Sequence, residues 1–287
     1  MATSLRQEVA DALASAGLKP LHRFGQNFMV DQAAVEALVT AVAAGPGVRI
    51  CEIGPGTGIL TRRLLDAGAS VLAVEIDQGL AGLLTATLVP RGLQLVHGDC
   101  LASKTRLHPA IEAFAAAGPW HLGANLPYDA ALPAILNAIA LPRPPESIAV
   151  TIQREAAERL ASRPGADAWG ASAAVLQAGG TPRILRRLGP SCFFPRPRVE
   201  SAILVWHLER PLPEGFGAFS RTVFAYRRKV LPGCLADAGW TRAAAHAACT
   251  VAGLDPARRL ESLDAPELLA LHAALAAPTA PLSEPHP

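Results

Sequence analysis

The chain of 287 residues has little cysteine, almost no charge excess and no long apolar run, and each shortage excludes something. Its five cysteines, Cys51, Cys100, Cys192, Cys234 and Cys249, are odd in number and never stand as C-x-x-C. They offer neither a zinc-binding spacing nor a disulfide framework, so no metal is expected, and the thiols are expected free in a reducing compartment. No stretch reaches the roughly eighteen apolar residues of a membrane span. Residues 1–17 include Glu8 and Asp11 and lack the apolar core of a secretory signal. A soluble, cytoplasmic protein is expected. The formal net charge is only +2, which does not by itself argue for a nucleic-acid partner.

What is present points to a folded molecule. Hydrophobic residues make up 51% and charged residues 17%, enough for a sizeable core and too apolar for global disorder. The charge is unevenly spread. Up to Gly179 there are 13 Lys/Arg against 15 Asp/Glu, a balance of −2, and from Gly180 onward 13 against 9, a balance of +4. Arg183, Arg186, Arg187, Arg196 and Arg198 fall in a segment that contains no acid. Such a cluster matters more for phosphate contact than net charge does.

Apolar periodicity predicts a strand at 48–53, a helix at 59–67, a strand at 70–74, a helix at 78–87 and a strand at 93–96. The alternation continues with a helix near 108–117, a strand at 120–123, a helix at 131–140, a strand at 147–152 and a helix at 153–162. Before it, Asp31 is placed to cap a helix over 32–44. Strands alternating with helices across short loops imply a mostly parallel sheet covered on both faces, an α/β fold of Rossmann-like type. Two later strands, 183–188 and 199–208, joined by a proline-rich connector, read as an antiparallel edge. From about Glu214 the pattern is helical, over 216–231, 241–252 and 265–276. The expected organisation is an N-terminal arm at 1–20, loosely held and partly helical, a sheet domain at 21–210, a small helical domain at 211–277 and a disordered, proline-rich tail at 278–287.

Ligands in such sheets bind beyond the carboxyl ends of the strands. Four successive strands here end in polar tips: Glu52-Ile53-Gly54-Pro55-Gly56-Thr57-Gly58, then Glu75, then Asp99, then Asn125. The glycines let a backbone approach a ligand closely. A lone G-x-G-x-G is shared by dinucleotide oxidoreductases and methyltransferases. The turn is preceded by an acid, Glu52, which repels a pyrophosphate and suits an amino-bearing cation, so S-adenosylmethionine is favoured over NAD. Glu75 is placed to accept from ribose hydroxyls, and Asp99 from an adenine amine while the Cys100 N–H meets a ring nitrogen. In Asn125-Leu126-Pro127-Tyr128, Leu126 is pushed away from helical geometry by the proline, and Pro127 carries no N–H. The Asn125 amide oxygen and the Leu126 carbonyl can then face outward beside a stacking ring, which is what the exocyclic amine of a flat base needs.

These pieces together resemble the ribosomal RNA adenine dimethyltransferases of the KsgA family, with the Erm methylases as cousins. The matching segments are Phe24-Gly25-Gln26-Asn27-Phe28, the Glu52–Gly58 turn, Val74-Glu75-Ile76-Asp77, Gly98-Asp99 and Asn125-Leu126-Pro127-Tyr128. Further matches are Gln153–Leu160, Phe193–Ala202 and Phe224–Lys229. The resemblance covers roughly 18–235 in order and implies a class I methyltransferase sheet. It implies that Gln26, Asn27, Met29, Glu52, Gly54, Gly56, Glu75, Ile76, Asp99, Cys100 and Asn125 line an S-adenosylmethionine site, and that Asn125, Leu126, Pro127 and Tyr128 hold the target adenine. Phe28 or Phe193 is expected to join Tyr128 in stacking on that base. Ribosomal RNA of an immature small subunit is the implied partner, and a monomer the implied state. Arg183, Arg186, Arg187, Arg196, Arg198, Arg227, Arg228 and Lys229 are the expected RNA-backbone contacts. The chain departs from the family pattern at Asp129, where Asn is usual, at Ala171, where a basic residue is usual, and in being less basic. Three rival readings are Erm-type methylation of large-subunit RNA, a non-catalytic assembly factor of the small subunit, and an NAD oxidoreductase.

Overall fold

The computed structural model describes residues 4–21 and 25–276. Phe24 of the first matching segment and the expected tail at 278–287 lie outside the described residues. The chain divides into two compact units, one reaching to Ala161 and including Gly179–Pro211, the other comprising Ser162–Ala178 and the part from Leu212 onward.

The larger unit is built on a seven-stranded sheet. Its strands are β2 (Arg49–Ile53), β3 (Ser70–Glu75), β4 (Gln94–His97), β7 (His121–Asn125), β8 (Ser147–Gln153), β9 (Arg183–Leu188) and β11 (Ser201–His207), in the order β4-β3-β2-β7-β8-β11-β9. The five strands from β4 to β8 run parallel, while β11 runs antiparallel to both β8 and β9. Strands β2, β3 and β8 are buried along nearly their whole length because helices cover both faces, so their middles read as short apolar blocks with no alternation. Strand order reverses between β2 and β7: later strands add outward on one side as β3 and β4, and on the other as β7 and β8. That is the topological switch point where open α/β sheets bind ligands.

Helices α2 (Gln32–Ala41), α3 (Ile59–Asp66), α4 (Gln78–Thr87), α5 (Pro109–Ala116), α6 (Tyr128–Ile139) and α7 (Arg154–Leu160) alternate with these strands. The Asp31 side chain caps α2 by accepting from the Ala34 N–H at 2.7 Å, as its position implies. Helix α6 starts three residues earlier than periodicity predicts, because Pro127 with φ −58° is already shaped to lead into a first turn. The N-terminal arm departs from expectation. Over Leu5–Ser15 it forms helix α1, and Leu5, Val9 and Leu13 are buried in the core of this unit with Val35, Leu38 and Leu84. It is docked, not loosely held. Two short pairings also escaped the sequence pattern: β1 (Phe28–Met29) with β10 (Phe193–Phe194), and the hairpin β5 (Leu101–Ser103) with β6 (Arg106–Leu107).

In the smaller unit, α8 begins at Ala171, and α9 (Phe216–Phe224), α10 (Leu231–Asp237), α11 (Arg242–Val251) and α12 (Ala265–Ala276) follow. A single helix was expected over 216–231. It ends at Phe224, and a new helix, α10, begins at Leu231 with Pro232 in its first turn, where a residue without an N–H is tolerated. Phe216 and Phe219 pack around His272, and Trp169 meets Phe224 edge-on.

Candidate active site

The carboxyl ends of β2, β3, β4, β7 and β8 share one edge of the sheet, and the antiparallel β11 contributes its first residue, Ser201, to the same edge. A cavity of about 420 Å³ opens there, within the larger unit, and all four polar tips line it. Its size is in the range that holds a cofactor.

The glycine turn forms the floor. Gly54 and Gly56 have φ of +69° and +60°, the left-handed region that only glycine enters freely. A Cβ on Gly56 would lie 2.9 Å from the Phe28 ring, and one on Gly54 would lie 3.3 Å from Pro127. The turn is thus held between the β1 segment and the Asn-Leu-Pro-Tyr tip. Glu52 is 2% exposed, with Oε2 accepting from Thr61 Oγ1 at 2.6 Å. Burial, offset by that hydroxyl and reinforced by the nearby Glu75 carboxyl, pushes its pKa up to about 8. Glu75 is also raised by burial, although its oxygens accept from the Gly56 N–H at 3.0 Å and the Asp77 N–H at 2.9 Å. Two buried acids with raised pKa beside an open cavity suit a ligand that brings cationic charge and hydroxyl donors.

At the next strand end, Asp99 is exposed and its Oδ1 accepts from the Leu101 N–H at 2.8 Å, closing the turn into β5. The Cys100 thiol is buried, and burial and the neighbouring Asp99 carboxylate push it up to about 12, so it is inert at neutral pH. Ile76 is 40% exposed, an apolar surface at the cavity wall beside these polar groups. Met29 and Phe28 are buried at the wall. Gln26 lines the cavity, but both ends of its amide are engaged by protein: Oε1 accepts from the Leu21 N–H at 2.8 Å and Nε2 donates to Asp77 Oδ2 at 3.0 Å. It holds the loop to the start of α4 and is not presented to a ligand.

Asn125 carries the main result. Its Nδ2 donates to the backbone carbonyl of Asn27 at 2.9 Å, and a carbonyl can only accept, so the orientation of the amide is determined. Oδ1 is the end left for a ligand. Leu126 donates its N–H to the Thr151 carbonyl at 3.1 Å, and no donor among the described residues occupies its own carbonyl. The Tyr128 hydroxyl is hydrogen-bonded to Ser201 Oγ at 2.8 Å, which fixes the ring, and burial raises its pKa. Phe193 is 1% exposed and Phe28 7%. Phe28 packs on the glycine turn at the floor of the cavity, which it lines. Asp129 sits exposed in the first turn of α6, where the helix dipole favours an acid. That accounts for its charge. Ser201, Thr61 and Gln153 were not singled out from sequence. Gln153 could have been, since it ends the next parallel strand after Asn125.

The basic residues separate into two sets. Arg186 lies 3.2 Å from Asp31, and Arg187 3.3 Å from Glu158. In the smaller unit, Arg227 donates to the carbonyls of Trp169 at 2.5 Å and Asp167 at 3.2 Å, and Lys229 pairs with Asp237. Arg186, Arg187, Arg227 and Lys229 are therefore engaged by partners within the fold. Arg183, Arg196, Arg198 and Arg228 are exposed, with no side-chain partner among the described residues.

The model of the family described as ribosomal RNA adenine dimethylase matches residues 18–275. The chain belongs to that family. A "Ribosomal RNA small subunit methyltransferase A" of Phenylobacterium zucineum (strain HLK1) is 37% identical, the match covering 91% of this chain and 90% of the relative. One from Nocardia farcinica is 35% identical over 86% and 87%. Among solved structures, a dimethyladenosine transferase from Plasmodium falciparum superposes with a TM-score of 0.68 at 19% identity, covering 85% of this chain and 95% of that one. The 23S rRNA methyltransferase ErmE does so with 0.63 at 22% identity, over 87% and 99%. These two structures share the fold of the dimethylase family.

Proposed function

We propose that this protein transfers methyl groups from S-adenosylmethionine to the N6 of adenines in small-subunit ribosomal RNA, twice on each target nitrogen, in the hairpin loop near the 3′ end of an immature subunit. The observation that carries this reading is the determined orientation of Asn125, whose Oδ1 is turned to a cavity floored by acids and glycines.

The cavity fits the cofactor by its donor set. Backbone approaches at Gly54 and Gly56, carboxyl groups at Glu52, Glu75 and Asp99, and the apolar Ile76 match the amino, hydroxyl and flat aromatic parts of S-adenosylmethionine. When bound, that group supplies a methyl on a positively charged sulfur, an electrophile that calls for no metal.

The residues of the chain prepare the other reactant. The N6 lone pair of adenine is delocalised into the ring and is a poor nucleophile. Accepted hydrogen bonds from both N6 hydrogens, one to Asn125 Oδ1 and one to the Leu126 carbonyl, draw the nitrogen toward a tetrahedral form with its lone pair available. They also stabilise the positive charge that arrives on the base in the transition state. Tyr128, fixed through Ser201, offers its face to the base, a stacking contact worth about 1–3 kcal/mol in comparable sites. A base paired or stacked in RNA must first be extruded to reach this depth. The second transfer meets a nitrogen with one N–H fewer, so only one acceptor remains engaged.

Relatives named for the small subunit, at 35–37% identity over most of the chain, favour that subunit over the Erm-type reading. The intact Asn125–Tyr128 tip argues against a non-catalytic assembly factor. With ribosomal RNA as its substrate, the protein is proposed to work in the cytoplasm and as a monomer. With methyl-labelled cofactor and unmethylated small-subunit particles, the wild type is expected to label the RNA and Asn125→Ala to lose 10²-fold or more, roughly the effect of removing one acceptor-stabilising group. Retention of activity within a few-fold by Asn125→Ala would remove the basis of the reading.

A further inference from the structure

The cofactor half of the cavity uses the ends of β2, β3 and β4. The other half, beyond the switch point, is framed by the ends of β7 and β8 and the start of β11. There, one polar side chain has been given no task. Gln153 is the last residue of β8, half-buried, and lines the cavity. It occupies the N-cap position of α7, yet its side chain makes no capping bond. No partner for its amide exists among the described residues.

Register fixes where it points. Asn125 of β7 pairs with Thr151 of β8, so their side chains share one face of the sheet. Gln153, two residues on, returns to the same face, about 6.6 Å further along the strand. Its antiparallel partner is Ser201, the residue that holds the Tyr128 hydroxyl. Asn125, Tyr128 and Gln153 therefore surround one recess, with Gln153 on its outer side.

We propose that Gln153 is a specificity-determining residue, whose Nε2 donates to a ring nitrogen flanking the amino group of the target base; this rests on the reading of the site as an adenine N6 methyltransferase. Adenine presents an acceptor on each side of its amino group, N1 and N7. Guanine presents an N–H at position 1 and an oxygen in place of the amine, and cytosine has no second ring. A donor from Gln153 together with acceptors at Asn125 and Leu126 excludes guanine when the contacted nitrogen is N1, but cytosine, with N3 beside its amine, offers the same pattern there. When the contacted nitrogen is N7, the set fits adenine alone, because guanine turns an oxygen to the acceptors and cytosine has no nitrogen at that place.

The test uses small-subunit particles assembled on RNA carrying adenosine, 1-deazaadenosine or 7-deazaadenosine at the mapped target position. Wild type, Gln153→Ala and Gln153→Glu are compared for transfer rate and, by calorimetry, for S-adenosylmethionine binding. The expected result is a loss of about tenfold in kcat/KM for Gln153→Ala on normal RNA, with cofactor affinity unchanged within twofold. One deaza analogue should produce the same loss in the wild type and no further loss in Gln153→Ala. Gln153→Glu, which replaces the donor with an acceptor, should lose more than Gln153→Ala. Losses that multiply for both analogues, unaltered transfer by Gln153→Ala, or a matching fall in cofactor binding would each overturn the assignment. Absence of transfer by the wild type to any small-subunit adenine would overturn the underlying reading with it.

Discussion

Asn125 and Glu52 show how single residues are set for the chemistry by their neighbours. Asn125 is oriented by a carbonyl 98 positions earlier in the chain, that of Asn27, which explains why the two segments must be present together. Glu52 is held nearly free of water, and its pKa of about 8 lies above the ordinary carboxylate value of 4.5. Its proton is therefore bound in the folded protein over a pH range where the unfolded chain has already released it. Stability from this group is present below about pH 4.5 and is lost as pH rises through 8; Glu75, raised in the same direction, acts with the same sign. The ligand-free protein is expected to show a falling melting temperature between pH 5.5 and 8.5. Glu52→Gln, which removes one titrating group, should make that fall shallower. An equal slope in the variant, measured by differential scanning fluorimetry at several pH values, would contradict the assignment of a protonated Glu52.

At the scale of elements, Asp31 joins two of them. It caps α2 and pairs with Arg186 on β9, which lies at the edge of the sheet. The cap is worth about 1 kcal/mol, and the partly exposed ion pair up to about 1 kcal/mol. Asp31→Ala should lower the melting temperature by roughly 3–6 °C, and Asp31→Asn, which keeps the cap and loses the pair, by about half of that. Equal losses in the two variants would mean that the cap contributes nothing. Much of the element order was legible beforehand. The run from β2 to β8 alternates periods of two and of 3.6 residues, and each parallel strand is a short apolar block. What was not legible has physical causes. Strands β1 and β10 are two residues each, too short to carry a period, and they meet across a separation of more than 160 residues. Helix α1 did carry a signal, Leu5, Val9 and Leu13 at intervals of four, but its burial depends on core residues that lie far along the chain. Pro232 did mark the first turn of a separate helix, α10, although nothing in the sequence marked the end of α9 at Phe224.

Over the whole molecule, strand order arranges the site more than any single motif does. Because the strand order reverses between β2 and β7, the acidic tips at β2, β3 and β4 fall to one side of the Asn125 tip, and Gln153 and Ser201 fall to the other. The proposed cofactor and base would thereby approach from opposite sides of one cavity. The four polar tips could be read from the sequence because each lies at the end of a strand or within two residues of it. The roles of Arg186 and Arg227 could not, because a basic residue that serves a carboxylate or carbonyl inside the fold looks the same in sequence as one that serves a phosphate. Exposed Arg183, Arg196 and Arg198 leave a basic segment on the larger unit suited to a phosphate backbone.

The most direct measurement is the position and form of the methylated nucleotide. Unmethylated small-subunit particles treated with the protein and S-adenosylmethionine, digested and read by mass spectrometry, should contain N6,N6-dimethyladenosine in the hairpin loop near the 3′ end of the RNA. Methylation confined to large-subunit RNA, or no methylated adenine in either RNA, would contradict the account.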